Sequence, residues 1–390
     1  MAQKQLFDAP RLEPAAGRRV VVTGQVGLDK KPFLQHLVDR ARSNGIDIVL
    51  CNVGDMMYQE APDVPAGRIL DIPITRLNSL RRAVFRDILI AAEQHENIIV
   101  NTHATFRWRH GLFSAFDHDL IERLRPNIFL TVVDNVDAVH LRLVRDHDID
   151  HCLKDLLVWR EEEILATEVL ATVTRGHGCF YVVARGEGDR NVEPTYRLIF
   201  HPQFKKVYLS FPMTHVADLP AVQAEIDRFR GMLAEHFICF DPGDLEEKRL
   251  HNIAVRAAEE NRKTIEVDVL GQPVQFEVAE VLSIVGDIHG QIYARDFKFI
   301  EQADMIVSYV PQDAAGKPII SSGVERELQH AHESAKEVYV VWTPKIEPSP
   351  FITETATRVF GSLDQAMEHF QQKGYVRAYQ RRFGPEGRSR

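Results

Sequence analysis

A β-branched run, Arg19–Thr23, breaks directly into a loop with glycines at Gly24 and Gly27 and re-forms as a helical pattern over Lys31–Ser43. That unit constrains the chain most, because a strand entering a helix through a glycine turn belongs to a parallel sheet wound from βαβ units. The alternation then repeats. Strands are expected at Asp47–Cys51, Asn97–Asn101, Ile128–Val133 and Cys179–Val183, with helices at Leu77–Gln94 and Leu153–Thr174. After a polar, turn-rich stretch at Gly186–Gln203, a second series begins at Lys206. Its strands are Val207–Phe211, Phe237–Phe240, Met305–Tyr309 and Val338–Trp342, and its helices include Pro220–Glu235, Tyr293–Gln302 and Val324–Ser334. Thr264–Val278 alternates with period 2 on either side of Gly271-Gln272-Pro273, which predicts a hairpin inserted into the second series.

The 390 residues exceed one ordinary core. The expectation is an α/β protein with two doubly wound parallel-sheet domains: a tail 1–17, a domain 18–185, a linker 186–204, a domain 205–375 and a basic tail 376–390. The Arg-rich end, Arg377–Arg390, reads as solvated. A composition of 45% hydrophobic and 26% charged residues excludes disorder and fibres. No apolar run approaches the roughly 20 residues of a bilayer span, and the first residues lack the apolar core of a secretory signal, so a cytoplasmic protein with no membrane partner is expected. Cys51, Cys152, Cys179 and Cys239 lie far apart, which argues against zinc and disulfides, and no metal site is expected. A net charge of -9 gives no footprint for nucleic acid.

The first loop nearly satisfies G-x-x-x-x-G-K-[ST], where backbone N–H groups cradle phosphate, the lysine reaches its oxygens and the hydroxyl holds magnesium. Gly24 and Lys30 stand at the right spacing. Asp29 replaces the second glycine and Lys31 the hydroxyl. A carboxylate facing a phosphate nest is unfavourable, and an ammonium cannot ligate magnesium.

Leu50–Met57, the helix from Arg76 through Arg86, Ile98–Phe106 and Phe129–Asp146 resemble the archaeal-type adenylate kinase family over about residues 18–185. The resemblance implies that this domain holds ATP or another nucleotide, with Arg142 and Arg145 as its lid arginines. The family's metal-supporting Asp before Thr-His is here Asn101. Because Asp29, Lys31 and Asn101 depart together, nucleotide binding without phosphoryl transfer is expected, at Gly24, Gly27, Lys30, Lys31, Arg142 and Arg145.

Lys205–Met213, Ala294–Val310 and Ser321–Ala331 resemble the nucleoside 2-deoxyribosyltransferase family, including its deoxynucleoside-monophosphate N-glycosidases, over about residues 205–345. The resemblance implies Glu327 as the carboxylate at C1′, Tyr208 as its positioning group, Ser321 or Ser322 near the sugar or its phosphate, and Asp296 and Asp304 in the site. A carboxylate beside C1′ bonds to it or stabilises its developing charge, and Asp296 would protonate the departing base. Gly323 would open a helix whose free N–H groups meet a phosphate. Gln329 and Arg326 depart from the family's pattern.

Gly286–Gln291 reads GDIHGQ, an opening used by two-metal phosphoesterases, but no further ligand blocks follow it. His289 is instead expected to line the crevice. The expected function is thus cleavage or transfer at the N-glycosidic bond of a (deoxy)nucleoside or nucleotide, needing no cofactor, in a homo-oligomer. The rivals are a nucleoside-monophosphate kinase with an accessory C-terminal domain, and an inactive nucleotide sensor.

Overall fold

The computed structural model describes residues 15, 17–65, 67–108, 111–147, 151–213, 216 and 218–376. The stretch 1–14 and the Arg-rich end from Arg377 lie outside the described residues. From the start, the chain forms β1 (Arg19–Thr23), α1 (Lys30–Ser43), β2 (Val49–Asn52), α2 (Val53–Glu60), α3 (Ile74–Gln94) and β3 (Ile98–Asn101). The hairpin β4 (Thr105–Trp108) and β5 (Gly111–Ser114) precedes α4 (His118–Leu124), β6 (Ile128–Val133) and α5 (Val136–His147). Next come α6 (Leu153–Arg175), β7 (Phe180–Ala184), α7 (Val192–Phe200), β8 (Lys206–Ser210), α8 (Pro220–His236) and β9 (Ile238–Phe240). They are followed by α9 (Glu247–Glu259), β10 (Thr264–Val269), β11 (Gln272–Glu277), α10 (Val278–Ser283) and α11 (Val285–Gln302). The chain finishes with β12 (Met305–Val310), α12 (Ser322–Glu333), β13 (Glu337–Trp342), α13 (Pro350–Thr353), β14 (Arg358–Phe360) and α14 (Leu363–Gln372).

Two compact units result, each with its own parallel five-stranded sheet. Among the described residues, the loop unit comprises 17–199 and 243–295, and the carboxylate unit 15, 200–242 and 296–376. The loop unit's sheet runs β2-β3-β1-β6-β7. Val20, Val21 and Val22 are fully buried, and so is most of β6, as a parallel sheet covered on both faces requires. The carboxylate unit's sheet runs β14-β13-β12-β8-β9, with Ser308 beside Ser210 and Ile306 beside Tyr208 in register.

The division differs from the sequence expectation in two places. The expected linker carries α7, whose Tyr196, Ile199 and Phe200 are buried. The hairpin forms as expected, closed by Leu270 (φ 53°) and Gly271 (φ 76°), the left-handed pair a two-residue turn demands. It belongs to the loop unit, however, and not to the second domain. Ile265, Val267 and Phe276 of the hairpin, Leu250 of α9 and Ile288 of α11 share one core with Val139 and Leu143 of α5 and Leu156 and Leu157 of α6. Burial of that apolar area overrides chain order.

Polar links fasten the same segment. Glu247 Oε1 accepts the Val136 N–H at 3.1 Å and Glu280 Oε1 the Leu153 N–H at 2.8 Å. Residues of the 243–295 segment thus cap the N-termini of α5 and α6, where a carboxylate meets orphan donors and the positive helix end. Arg160 of α6, 6% exposed, binds both oxygens of fully buried Glu247 and also Gln291. A buried charge pair of this kind is tolerable only with its hydrogen bonds complete.

Candidate functional site

Between the glycine loop, α2, α3 and the end of β3 lies a cavity of about 610 Å³, within the range of small-molecule sites. Lys30 sits on its wall, 7% exposed. Its Nζ donates to Gly24 O at 2.6 Å and Thr102 O at 2.8 Å and lies 3.4 Å from His103 Nδ1. Burial pushes the Lys30 ammonium down to about 7, opposed by Glu163. Asp29 takes φ 56°, a left-handed conformation that glycine adopts most easily, and caps α1 without a side-chain bond. The loop's backbone turn is thus retained although its glycine is gone.

Glu163 of α6, which sequence reasoning missed, is the hub of the loop. It is fully buried and accepts the N–H groups of Gly24 (3.1 Å), Ala104 (2.8 Å) and Thr105 (2.8 Å) and the Thr105 hydroxyl (2.5 Å). Burial alone would raise its carboxyl; His103, Lys30 and Thr105 together hold it down at about 2. His103 is pushed below its usual range by burial and by Lys30. The signal was readable: Arg160, Glu163 and Thr167 stand at the helical spacing of the apolar stripe Leu156, Leu157 and Leu170.

Other expected loop residues are placed differently. Gly24 gives its N–H to Glu163. Gly27 abuts α5; a Cβ there would lie 2.8 Å from Leu143 Cγ and 3.0 Å from Val139 O. Arg142 is 3% exposed and spent on Asp134 at 2.8 Å and Gly27 O at 3.3 Å, so it braces the loop from behind. Arg145 binds both oxygens of its neighbour Asp146, an acid of the cavity wall that neutralises it. Lys31 pairs with Asp55 at 2.7 Å, and Asn101 Nδ2 donates to Asn52. The Lys31 ammonium cannot ligate a magnesium ion, and Asn101 brings a neutral amide where a carboxylate would supply charge. Among the described residues no group of three or more His, Cys, Asp or Glu gathers into a metal site.

In the carboxylate unit, α12 packs over the sheet and brings Glu327 to β8. Tyr208 Oη donates to Glu327 Oε1 at 3.0 Å and Ser210 Oγ to Oε2 at 2.6 Å. Tyr208 and Ser210 stand two residues apart, so the strand alternation puts both on one face. Each carboxylate oxygen thereby has a hydroxyl donor that fixes its orientation. Ser321 caps α12, its Oγ accepting the Val324 N–H at 3.3 Å, and Ser322 and Gly323 are exposed in the first turn. Asp296 is half-buried on α11.

Two expected members do not join this cluster. Asp304 precedes β12 and pairs with Lys206, Nζ to Oδ1 at 3.0 Å, at the strand starts, away from Ser210 at the end of β8. His289 lies in the loop unit, edge-on to His251 with ring centroids 5.1 Å apart. The GDIHGQ stretch is helical within α11; Asp287 approaches Lys154 at 3.6 Å and Gln291 binds Arg160. Its residues tie α11 to α6.

Residues 23–152 match the family described as AAA domain. The adenylate kinase of Pyrococcus furiosus is 23% identical over 181 residues, 45% of this chain and 89% of that protein. That of Thermococcus kodakarensis is 29% identical over 142 residues, 34% of this chain and 69% of that protein. Among solved structures, a 2-deoxyribosyltransferase from Bacillus psychrosaccharolyticus overlays with TM-score 0.27 at 15% identity, covering 45% of this chain and 99% of that one. A gluconokinase from Sinorhizobium meliloti gives TM-score 0.30 at 14% identity, covering 48% and 95%. The sequence matches make the first part of the chain a P-loop, kinase-like domain; the two overlays are too weak to assign the second.

Proposed function

We propose that the carboxylate unit cleaves or transfers the N-glycosidic bond of a (deoxy)nucleoside or nucleotide at Glu327, while the loop unit binds a nucleotide without phosphorylating it. The observation that carries the first part is the convergence of Tyr208 and Ser210 on the two oxygens of Glu327. A carboxylate held in that way at the end of a parallel sheet is oriented to meet the electron-poor C1′ carbon, forming a bond to it or stabilising its charge. The departing base takes a proton, in this reading from Asp296, and the sugar passes to water or to an acceptor base. The exposed first turn of α12 at Ser322 and Gly323 suits a 5′ phosphate.

In the loop unit, the first turn of α1 and the Lys30 ammonium face the cavity and favour an anionic nucleotide. Lys31 supplies no oxygen ligand for a magnesium ion, and Asn101 offers a neutral amide oxygen in place of a carboxylate, so the negative charge that transfer chemistry asks of such a site is missing at both positions. A second reading, a nucleoside-monophosphate kinase with an accessory C-terminal unit, is favoured by the similarity to adenylate kinases.

The deciding experiment incubates the full chain with nucleosides and nucleotides and follows free base by chromatography. Release that disappears in Glu327→Ala and Glu327→Gln, but survives in Glu325→Ala, supports the glycosidic reading. Equal activity in all three variants refutes it. A coupled assay with ATP and AMP or CMP is expected to give no transfer; robust turnover abolished by Lys30→Ala establishes the kinase reading instead.

A further inference from the structure

We propose, resting on the nucleotide-binding reading of the loop unit, that this unit takes a nucleoside di- or triphosphate free of divalent metal, with the Lys31 ammonium in the metal's place. Lys31 is the second residue of α1, where a phosphate loop carries the hydroxyl that holds magnesium. It lines the cavity, and its Nζ lies 2.7 Å from Oδ2 of Asp55, which stands in the first turn of α2 and also lines the wall. The chain thus supplies its own positive charge at the front of the loop. Magnesium asks for about six oxygens in a near-octahedral array. To bind here it would have to expel Lys31 from Asp55 and complete its shell beside Asn101 and Asn52. Those two amides are bonded to each other at 2.9 Å and carry no charge.

The remaining charges of the wall point the same way. Among the described residues its acids are Asp29, Asp55 and Asp146. Asp146 is bonded through both oxygens to Arg145, and Asp29, in the left-handed turn of the loop, lies 3.9 Å from Arg185. Each acid therefore already faces a cation. Of the cations on the wall, Lys30 is opposed by buried Glu163. Arg81, 8% exposed, donates to the neutral Ser114 O and Asn78 Oδ1, while Asp117, the acid that acts on it, is bonded to Arg82. The cavity offers positive charge to phosphate and no spare carboxylate to a metal. The Lys31 and Asp55 side chains are 63% and 48% exposed, and ion pairs so exposed are weak. A phosphate oxygen can take the place of Asp55 at small cost, and the ammonium then meets it as a charged donor.

Calorimetric titration of the full chain with the common nucleoside di- and triphosphates, at a pH below 7 where Lys30 keeps its proton, tests the form of the ligand. The binding lost in Lys30→Met marks the loop unit's share. With a chelator present that share should persist, and excess magnesium, which engages the same phosphates, should weaken it several-fold. Lys31→Ala, an exposed change that costs little stability, should weaken metal-free binding by about tenfold through loss of one charge-assisted contact. Asp55→Asn should tighten it by about two- to fivefold, the worth of an exposed ion pair. Lys31→Ser with Asn101→Asp, which puts back a hydroxyl and a carboxylate, should reverse the response so that magnesium tightens binding. Wild-type binding that magnesium tightens, or metal-free binding indifferent to Lys31→Ala, overturns the proposal and leaves the nucleotide reading standing. No binding assignable to the loop unit, with magnesium or without, overturns that reading and the proposal with it.

Discussion

Replacing Glu163 by glutamine keeps the side chain's shape and removes its charge, and the structure sets the size of the effect. The carboxylate titrates at about 2 in the folded chain, against 4.5 for an ordinary glutamate. That difference is equivalent to about 3 kcal/mol of folding stability at neutral pH. A second estimate starts from the contacts: glutamine offers one acceptor oxygen where Gly24, Ala104 and Thr105 present three N–H groups, and it leaves the buried Lys30 ammonium without its counter-charge. Breaking a buried pair from one side costs about 3–5 kcal/mol. Both routes give a loss of about 3–5 kcal/mol for Glu163→Gln. The sign with pH follows from a depressed acid: its contribution is fully present above about 4.5 and disappears as pH falls toward 2. Urea unfolding with pulsed hydrogen exchange, read over peptides of β1 and β3, isolates the loop unit. A loss under about 1 kcal/mol at pH 7, or a loss that does not shrink below pH 4.5, would refute the assignment of Glu163 as the charged hub of the loop.

Nucleotide affinity in the cavity should fall as pH rises through about 7, where Lys30 loses the proton that attracts phosphate, and Lys30→Met should bind weakly with little pH dependence; calorimetry in matched buffers checks both. Gly27→Ala should destabilise the loop unit by about 1–3 kcal/mol, because φ 84° disfavours a side chain and the new Cβ meets Leu143 and Val139; hydrogen exchange of α5 peptides measures it. Tyr208→Phe should slow base release by about tenfold, the cost of one orienting hydrogen bond at the reacting carboxylate, while Glu327→Gln should abolish it.

Much of the architecture was legible from periodicity. The inner strands announced themselves as β-branched runs, and Arg19–Thr23 and Ile128–Val133 fall where the pattern puts them. The pairing of Tyr208 with Glu327 was implied by the resemblance, whereas Ser210 needed only the strand alternation and was overlooked. What the pattern concealed were long-range polar satisfactions. Nothing local announces that Arg142 turns inward to Asp134, or that Asp304 is spent on Lys206. The affiliation of residues 243–295 was hidden for a related reason: an apolar face is visible in sequence, but the surface it covers is not. Acids in a buried helical stripe, such as Glu163, are the readable exception, because burial without a partner is so costly.

The capping of α5 and α6 by Glu247 and Glu280 bears on the order in which a ribosome delivers the chain. All five strands of the first sheet have been synthesised once β7 is made, yet two of their flanking helices still await N-terminal partners, and the shared core lacks its hairpin. The intervening residues 200–242, which belong to the other sheet, must be synthesised first. At about 5–20 residues per second, the nascent loop unit waits on the order of ten seconds with Leu143, Leu156 and Leu157 uncovered. Translation pausing or truncation within this interval should therefore expose a sticky, incompletely folded intermediate, and a gene cut at the apparent linker would make that intermediate permanent.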